Sequence, residues 1–137
     1  MSQGVLRDEW YTPDSVFLPL AEEFGPFDLD VAASALNTKA KLFYTDEDDA
    51  LTKPWPGVVW CNPPYRQLLK WCEKAWSEIQ EGNAKRVVML LPAHTSTAWF
   101  HDYALAKARV VRFLRGRISF GGTTGSPFWG SVVVVFE

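Results

Sequence analysis

Asn62-Pro63-Pro64-Tyr65 is the segment of this chain best suited to chemistry. Two consecutive prolines have no backbone N–H and hold φ at about −65°, so the turn is stiff and its carbonyls remain acceptors. The Asn62 side chain adds an acceptor beside the Pro63 carbonyl, and Tyr65 offers a flat aromatic face. Such a set suits a planar amine, gripped by two acceptors and stacked on a ring. Accepting both amino hydrogens pushes the nitrogen toward tetrahedral character and readies its lone pair for attack. The plain alternative is a strand-ending turn, common where Asn and Pro meet. Placement favours the chemical reading, because Val58-Val59-Trp60-Cys61 reads as a buried strand just before it and a helical pattern starts just after.

The elements that must position this turn follow from periodicity. Thr12 reads as a helix N-cap with Pro13 in the first turn, followed by Val16, Phe17, Leu20 and Phe24 at helical spacing until Gly25-Pro26. Residues 27–31 predict a short strand, and small residues follow it. A helix over 67–80 carries the apolar stripe Leu68, Leu69, Trp71, Cys72, Ala75, Trp76 and Ile79, with Arg66, Lys70 and Lys74 opposite. A buried strand at 87–91 stops at Pro92, a helix covers 97–107, and another strand runs 110–114. Residues 117–120 and Ser131–Phe136 predict a final antiparallel pair joined by a Gly/Thr/Ser loop. Alternating strands and helices imply one α/β domain over residues 1–137, its sheet mostly parallel with an antiparallel C-terminal end. Ligands bind such sheets at the carboxyl ends of their strands. Asp30, Asn62 and Pro92 should therefore share one edge.

Composition narrows the classes. At 137 residues, 47% hydrophobic and 22% charged, the chain is an ordinary globular domain, not a disordered one. No apolar run approaches a membrane span, and the polar N-terminus does not read as a secretory signal. Cys61 and Cys72 cannot form a disulfide framework, and no Cys/His cluster has metal spacing, so a reducing cytoplasm and no metal are expected. Charge is uneven. Residues 1–60 hold four basic and eleven acidic side chains, residues 61–137 ten basic and five acidic. An acidic face for a cationic small molecule and a basic face for a polyanion are both compatible with that split.

Longer stretches resemble one family. The motifs Asp8-Glu9-Trp10-Tyr11-Thr12-Pro13, Phe24 through Ser34, Trp60 through Tyr65, Leu90-Leu91-Pro92-Ala93, Trp99-Phe100 and Arg115 through Phe120 are similar, in this order, to phage-type (Dam-like) DNA N6-adenine methyltransferases. The resemblance implies a Rossmann-like methyltransferase fold, S-adenosylmethionine as cofactor and adenine in DNA as substrate. It implies that Asn62, Pro63, Pro64 and Tyr65 are the catalytic segment. It assigns the cofactor to Tyr11, Thr12, Asp30, Ala32 and Asp49, with Asp30 preferred over Asp28 by strand alternation. A glycine-rich turn after Asp30 is missing, and Asn37 is the one candidate for the cofactor ribose. Arg66, Arg115 and Arg117 are the DNA contacts expected, with loops 93–98 and 121–128 reading a short or relaxed sequence. A target base in a duplex must leave the stack to reach such a pocket. Cys61 is excluded as a nucleophile because alternation turns it away from Asn62, and His94 and His101 are read as surface or structural. The implied setting is a phage- or prophage-encoded protein, monomeric or weakly dimeric, in the host cytoplasm. Two other readings stay open: the same motif acting on an RNA base or protein glutamine amide, and a degenerate domain that only binds nucleic acid.

Overall fold

The computed structural model describes residues 11–120 and 129–137; Asp8, Glu9, Trp10 and the loop 121–128 singled out above lie outside them. Among the described residues six strands form one sheet: β1 (Leu29–Asp30), β2 (Leu42–Phe43), β3 (Gly57–Cys61), β4 (Ala84–Pro92), β5 (Val110–Phe113) and β6 (Ser131–Phe136), ordered β2-β1-β3-β4-β6-β5. β1 pairs in parallel with β2 and β3, and β3 with β4, while β6 runs antiparallel between β4 and β5. The sheet is thus mostly parallel with one reversed strand, as expected. All of its strands except β6 end on the same edge.

One expected pairing is wrong. Residues 117–120 form no strand; β6 pairs instead with β4 and β5, Val88 facing Val135 and Val111 facing Val134. Ile118 and Phe120 are nevertheless buried, packed with Phe17, Leu20 and Trp60 on one sheet face. Alternate burial there comes from lying across a helix, not from strand pairing.

Helix α1 (Asp14–Phe24) covers that face, through Phe17, Leu20 and Phe24. Helix α2 (Leu68–Gln80) and a π-helical segment, Phe100–Leu105, cover the other, together with Trp55, Cys61, Val87, Met89 and Val134. The strands β3, β4 and β6 are sandwiched, which is why they read as continuous apolar runs instead of alternating ones. Aromatic residues fill the α1 side: Trp60 meets Phe17 edge-on at 4.9 Å and Phe27 at 5.5 Å.

Two carboxylates hold the frame. The Asp28 carboxylate accepts the Val58 N–H at 2.8 Å, and Gly57 beside it has φ +81. A Cβ at Gly57 would lie 2.5 Å from the Asp28 oxygen, so only glycine admits this contact. Glu78, 3% exposed, accepts the Trp55 N–H at 2.6 Å, the Asn83 amide at 3.3 Å and the Lys74 ammonium at 3.1 Å. Burial pushes its pKa up, but the hydrogen bonds from Trp55, Lys74 and Asn83 and the Lys74 charge outweigh it, and the net direction is down.

A depressed carboxyl pKa stabilises the fold above the unfolded value, 4.5, and that stabilisation is lost as pH falls through the folded value. Glu78→Gln should therefore cost about 1–3 kcal/mol at neutral pH. The gap to wild type should shrink below pH 4.5, as measured by urea unfolding at both conditions. A gap independent of pH would show that Glu78 acts by shape alone.

Candidate active site

β3 must place its side chains on alternate faces. Cys61 enters the α2 core, Trp60 the α1 core, and Asn62, just past the strand end, returns to the α1 side. There its Nδ2 donates to the Thr12 hydroxyl at 3.0 Å, with both residues buried. Thr12 is not the helix cap expected. Pro13 occupies the N-cap position in extended conformation, and the Thr12 side chain faces the site. Thr12 thus fixes which end of the Asn62 amide points where, and proline after it keeps that backbone extended.

Asp30 sits at the end of β1, 2% exposed, on the edge that bears Asn62, whereas Asp28 braces the far end of β3. The Asp30 carboxylate accepts the backbone N–H of Ala32 at 3.2 Å and of Lys39 at 2.9 Å. It shapes the turn 31–39 that replaces the missing glycine-rich loop. Lys39 was not singled out from sequence, and no spacing signal marks it. Its ammonium donates to the Thr12 carbonyl at 3.0 Å and lies 5.0 Å above the Phe17 ring. One residue therefore ties the 31–39 turn to the segment that orients Asn62. Tyr11, Thr12, Asp30, Ala32, Asn37, Lys39 and Asn62 together enclose a narrow space of about 20 Å³.

Ala32 also borders a second, roomier cavity of about 260 Å³. Val31, Leu51, Pro64 and Trp71 give it apolar walls, and Asp46, Asp49 and Arg66 give it charge. Asp49 and Gln67 line it in left-handed backbone conformations, φ 55 and 61, which cost non-glycine residues about 1 kcal/mol each. Asp49 thus joins the site, whereas Arg66 sits in this cavity and not with Arg115 and Arg117.

On the far side of the Asn62–Tyr65 turn, Tyr65 meets Trp129 edge-on at 5.6 Å, and Trp129 meets His94 at 5.9 Å. Trp129 was missed from sequence because it lies next to a loop, outside any periodic element. Pairing of Pro92 with Ser131 brings it to the same edge. The buried Trp129 Nε1–H and Ser131 hydroxyl have no hydrogen-bond partner among the described residues. His101 bonds the Thr95 carbonyl at 2.7 Å, a structural role. The Cys72 thiol is pushed up to about 12 by burial and is unreactive, while Cys61 is wholly buried. Among the described residues no group of three or more His, Cys, Asp or Glu could hold a metal ion, and no helix is long and apolar enough to cross a membrane.

The basic candidates separate. Lys74 is taken by Glu78, and Arg112 makes a two-pronged bond to Glu23 at 2.6 and 2.8 Å. Arg115 and Arg117 stand together beside α1, on the wall of a different cavity.

If the Asp30 carboxylate holds the turn, Asp30→Ala should speed amide exchange at Ala32 and Lys39 by about tenfold or more. The Val31 amide, bonded to the Trp60 carbonyl at 3.1 Å, is the internal control. Equal acceleration at all three amides would show general unfolding instead.

Comparison with known proteins gives this geometry a relationship. A DNA N-6-adenine-methyltransferase of Haemophilus phage HP1 is 40% identical over 138 residues, covering 96% of this chain and 79% of that protein. A DNA N-6-adenine-methyltransferase of Escherichia phage T1 is 37% identical over 108 residues, covering 77% of this chain. The match spans only 44% of the phage T1 protein. A putative methyltransferase, YfdM, of Escherichia coli is 40% identical over 65 residues, 42% of this chain and 71% of that protein. Residues 2–135 match the family described as DNA N-6-adenine-methyltransferase (Dam), and the chain belongs to that family.

Proposed function

We propose that the chain transfers a methyl group from S-adenosylmethionine to the exocyclic N6 of adenine in DNA. The observation that carries this is the stiff Asn62-Pro63-Pro64-Tyr65 turn at the carboxyl end of β3, with the Asn62 amide held by Thr12. Because Thr12 takes the NH2 end of that amide, the end that meets an incoming amine is the acceptor. Asn62 and the Pro63 carbonyl then accept the two amino hydrogens of adenine. Tyr65 stacks on the base, and Trp129 closes the side of that stack.

The cofactor's chemistry fits the residues at hand. Ala32 lines both the narrow space around Tyr11, Thr12 and Asp30 and the roomier cavity, and its small side chain would let a ligand reach from one toward the other. Tyr11, Thr12 and Asp30 would hold the amino-acid end. Trp71, Leu51 and Val31 would pack the adenine ring, and Asp49 would accept its amino group. Asn37 lines the narrow space with Tyr11, Thr12 and Asp30, which favours a contact with the amino-acid end over one with the ribose. S-adenosylmethionine supplies a methyl group already made electrophilic by its sulfonium, so the protein needs to align more than to activate. No general base is required of the chain, since the amine is free to shed its proton to water after transfer. The phage origin of two relatives supports a phage- or prophage-borne protein that works on DNA in the host cytoplasm.

The test is direct. The protein is incubated with S-adenosylmethionine and unmethylated DNA, and the digested nucleosides are measured by mass spectrometry. N6-methyldeoxyadenosine is expected. Asn62→Ala should lower kcat by about 10²-fold with folding retained. Thr12→Val should lower it by about tenfold while Thr12→Ser stays near wild type, because only the hydroxyl orients the amide. A fully active Asn62→Ala protein would overturn the assignment of the site.

A further inference from the structure

A cavity of about 630 Å³, roomier than the two described above, has no part in the chemistry so far. It runs between α1 and residues 112–119. Its floor is apolar, from Val16, Pro19 and Leu20 on α1 to Leu114 and Ile118 opposite. Its size falls within the roughly 300–1,000 Å³ of sites that enclose small organic groups.

The topology fixes its orientation. α1 begins next to Thr12, which is bonded to Asn62, so the Pro13 and Ser15 end of the groove lies at the catalytic edge. The C-terminus of α1 lies at the opposite edge, where Arg86, near the start of β4, bonds the Phe24 carbonyl at 2.8 Å. β5 runs in the same direction as β4, so Leu114 and Arg115, just past its end, also reach the catalytic edge. Charge divides along this axis. Deeper in, Arg112 is neutralised by Glu23. Toward the catalytic edge, Arg115 and Arg117 make no ion pair with any described residue.

We propose that this groove holds a nucleotide neighbouring the target adenine on the same DNA strand, its phosphates on Arg115 and Arg117 and its base on the apolar floor. This rests on the proposed function and adds to it. A base lying on Val16, Leu20 and Ile118 is unstacked from its own helix, so the protein engages single-stranded or locally opened DNA. Phosphate contacts alone would need no apolar cavity, and an apolar ligand alone would leave two arginines at the mouth without a role. A nucleotide satisfies both. Continuity with the edge that bears Asn62 favours a DNA strand over a free mononucleotide, which has the same chemistry.

Binding of a fluorescein-labelled single-stranded oligonucleotide with one central adenine, followed by anisotropy at several salt concentrations, tests this. Arg115→Ala/Arg117→Ala should weaken binding about tenfold or more. It should also lower the magnitude of the log Kd against log salt slope by about 1.4, two single-strand phosphates. Arg115→Lys/Arg117→Lys should restore most of both, and S-adenosylmethionine binding should not change. Val16→Trp, which fills the floor without altering charge, should weaken single-strand binding more than duplex binding. An abasic residue beside the adenine, placed on either side in turn, should weaken wild-type binding on one side and leave Val16→Trp unaffected. Unchanged affinity and slope in the double alanine variant overturn the proposal, as does abasic substitution without effect on both sides. Deoxyadenosine monophosphate shifting the Val16, Leu114 and Ile118 methyl resonances at concentrations where the oligonucleotide does not overturns the strand assignment. Failure of the methylation reading is separate: it would show as no N6-methyldeoxyadenosine from the wild type while arginine-dependent DNA binding persists.

Discussion

β3 is buried on both faces, and from that constraint the site follows. A strand with cores above and below cannot slip by one residue without cost, because Trp60 and Cys61 would exchange layers, overpacking one and leaving a cavity in the other. With Trp60 fixed against Phe17 and Phe27, Asn62 must come back on the α1 side. Prolines at 63 and 64 then stop the chain from relaxing this placement, since neither can donate to a neighbouring strand and each restricts the residue before it. Register in the core is converted into the position of one amide.

That amide still needs a rotor setting, and Thr12 supplies it from fifty residues away. The partnership explains why so much of residues 11–40 packs around this amide instead of joining the sheet. β1 and β2 contribute two residues each, too few to stabilise anything alone. Their work is to carry the turn between them, which Asp30 closes through Ala32 and Lys39. Lys39 in turn reaches Thr12, so turn, N-terminal segment and catalytic amide form one connected set of polar contacts in a buried space. A largely buried charge such as Lys39 is tolerable there because a carbonyl, the Phe17 ring and Asp14 at 4.0 Å share its field.

Sequence patterns disclosed the parts of the fold that bury continuous apolar runs. β3, β4 and β6 were legible because a strand enclosed on both faces needs Val, Leu, Met and Trp at nearly every position. β2 was not, because two residues carry no period, and its Leu42 is 65% exposed. Residues 117–120 misled for a physical reason: Ile118 and Phe120 alternate with exposed neighbours as in a strand, yet they pack across α1. Thr12 misled because a hydroxyl before proline is a common helix start, and only the tertiary fold shows the hydroxyl accepting from Asn62 instead. The Asn62–Tyr65 turn after β3 was readable as a strand-ending turn, since proline stiffness is local. Trp129 and Lys39 were not, as each acquires its role from a residue distant in sequence.

The proposed DNA contact also depends on which basic side chains are left available by the fold. A strand held beside Asn62, as proposed, needs surface there that is both basic and concave. Ion pairing diverts several basic side chains from that role, with Arg86 and Arg109 bound to Glu137, Arg112 to Glu23, and Lys74 to Glu78. Of these pairs only Arg112–Glu23 joins the basic half of the sequence to the acidic half. Among the described residues, Arg66 beside Pro64 and the pair Arg115 and Arg117, on a Gly116 turn with φ +74 that no β-branched residue would adopt at low cost, stay outside these ion pairs. In the proposed complex such a local contact set would guide one strand past the Asn62 amide. On the proposed reading, selectivity for adenine would then rest on the pocket that receives the base, where the acceptors of Asn62 and Pro63 would require an amino group and the Tyr65 face a flat ring.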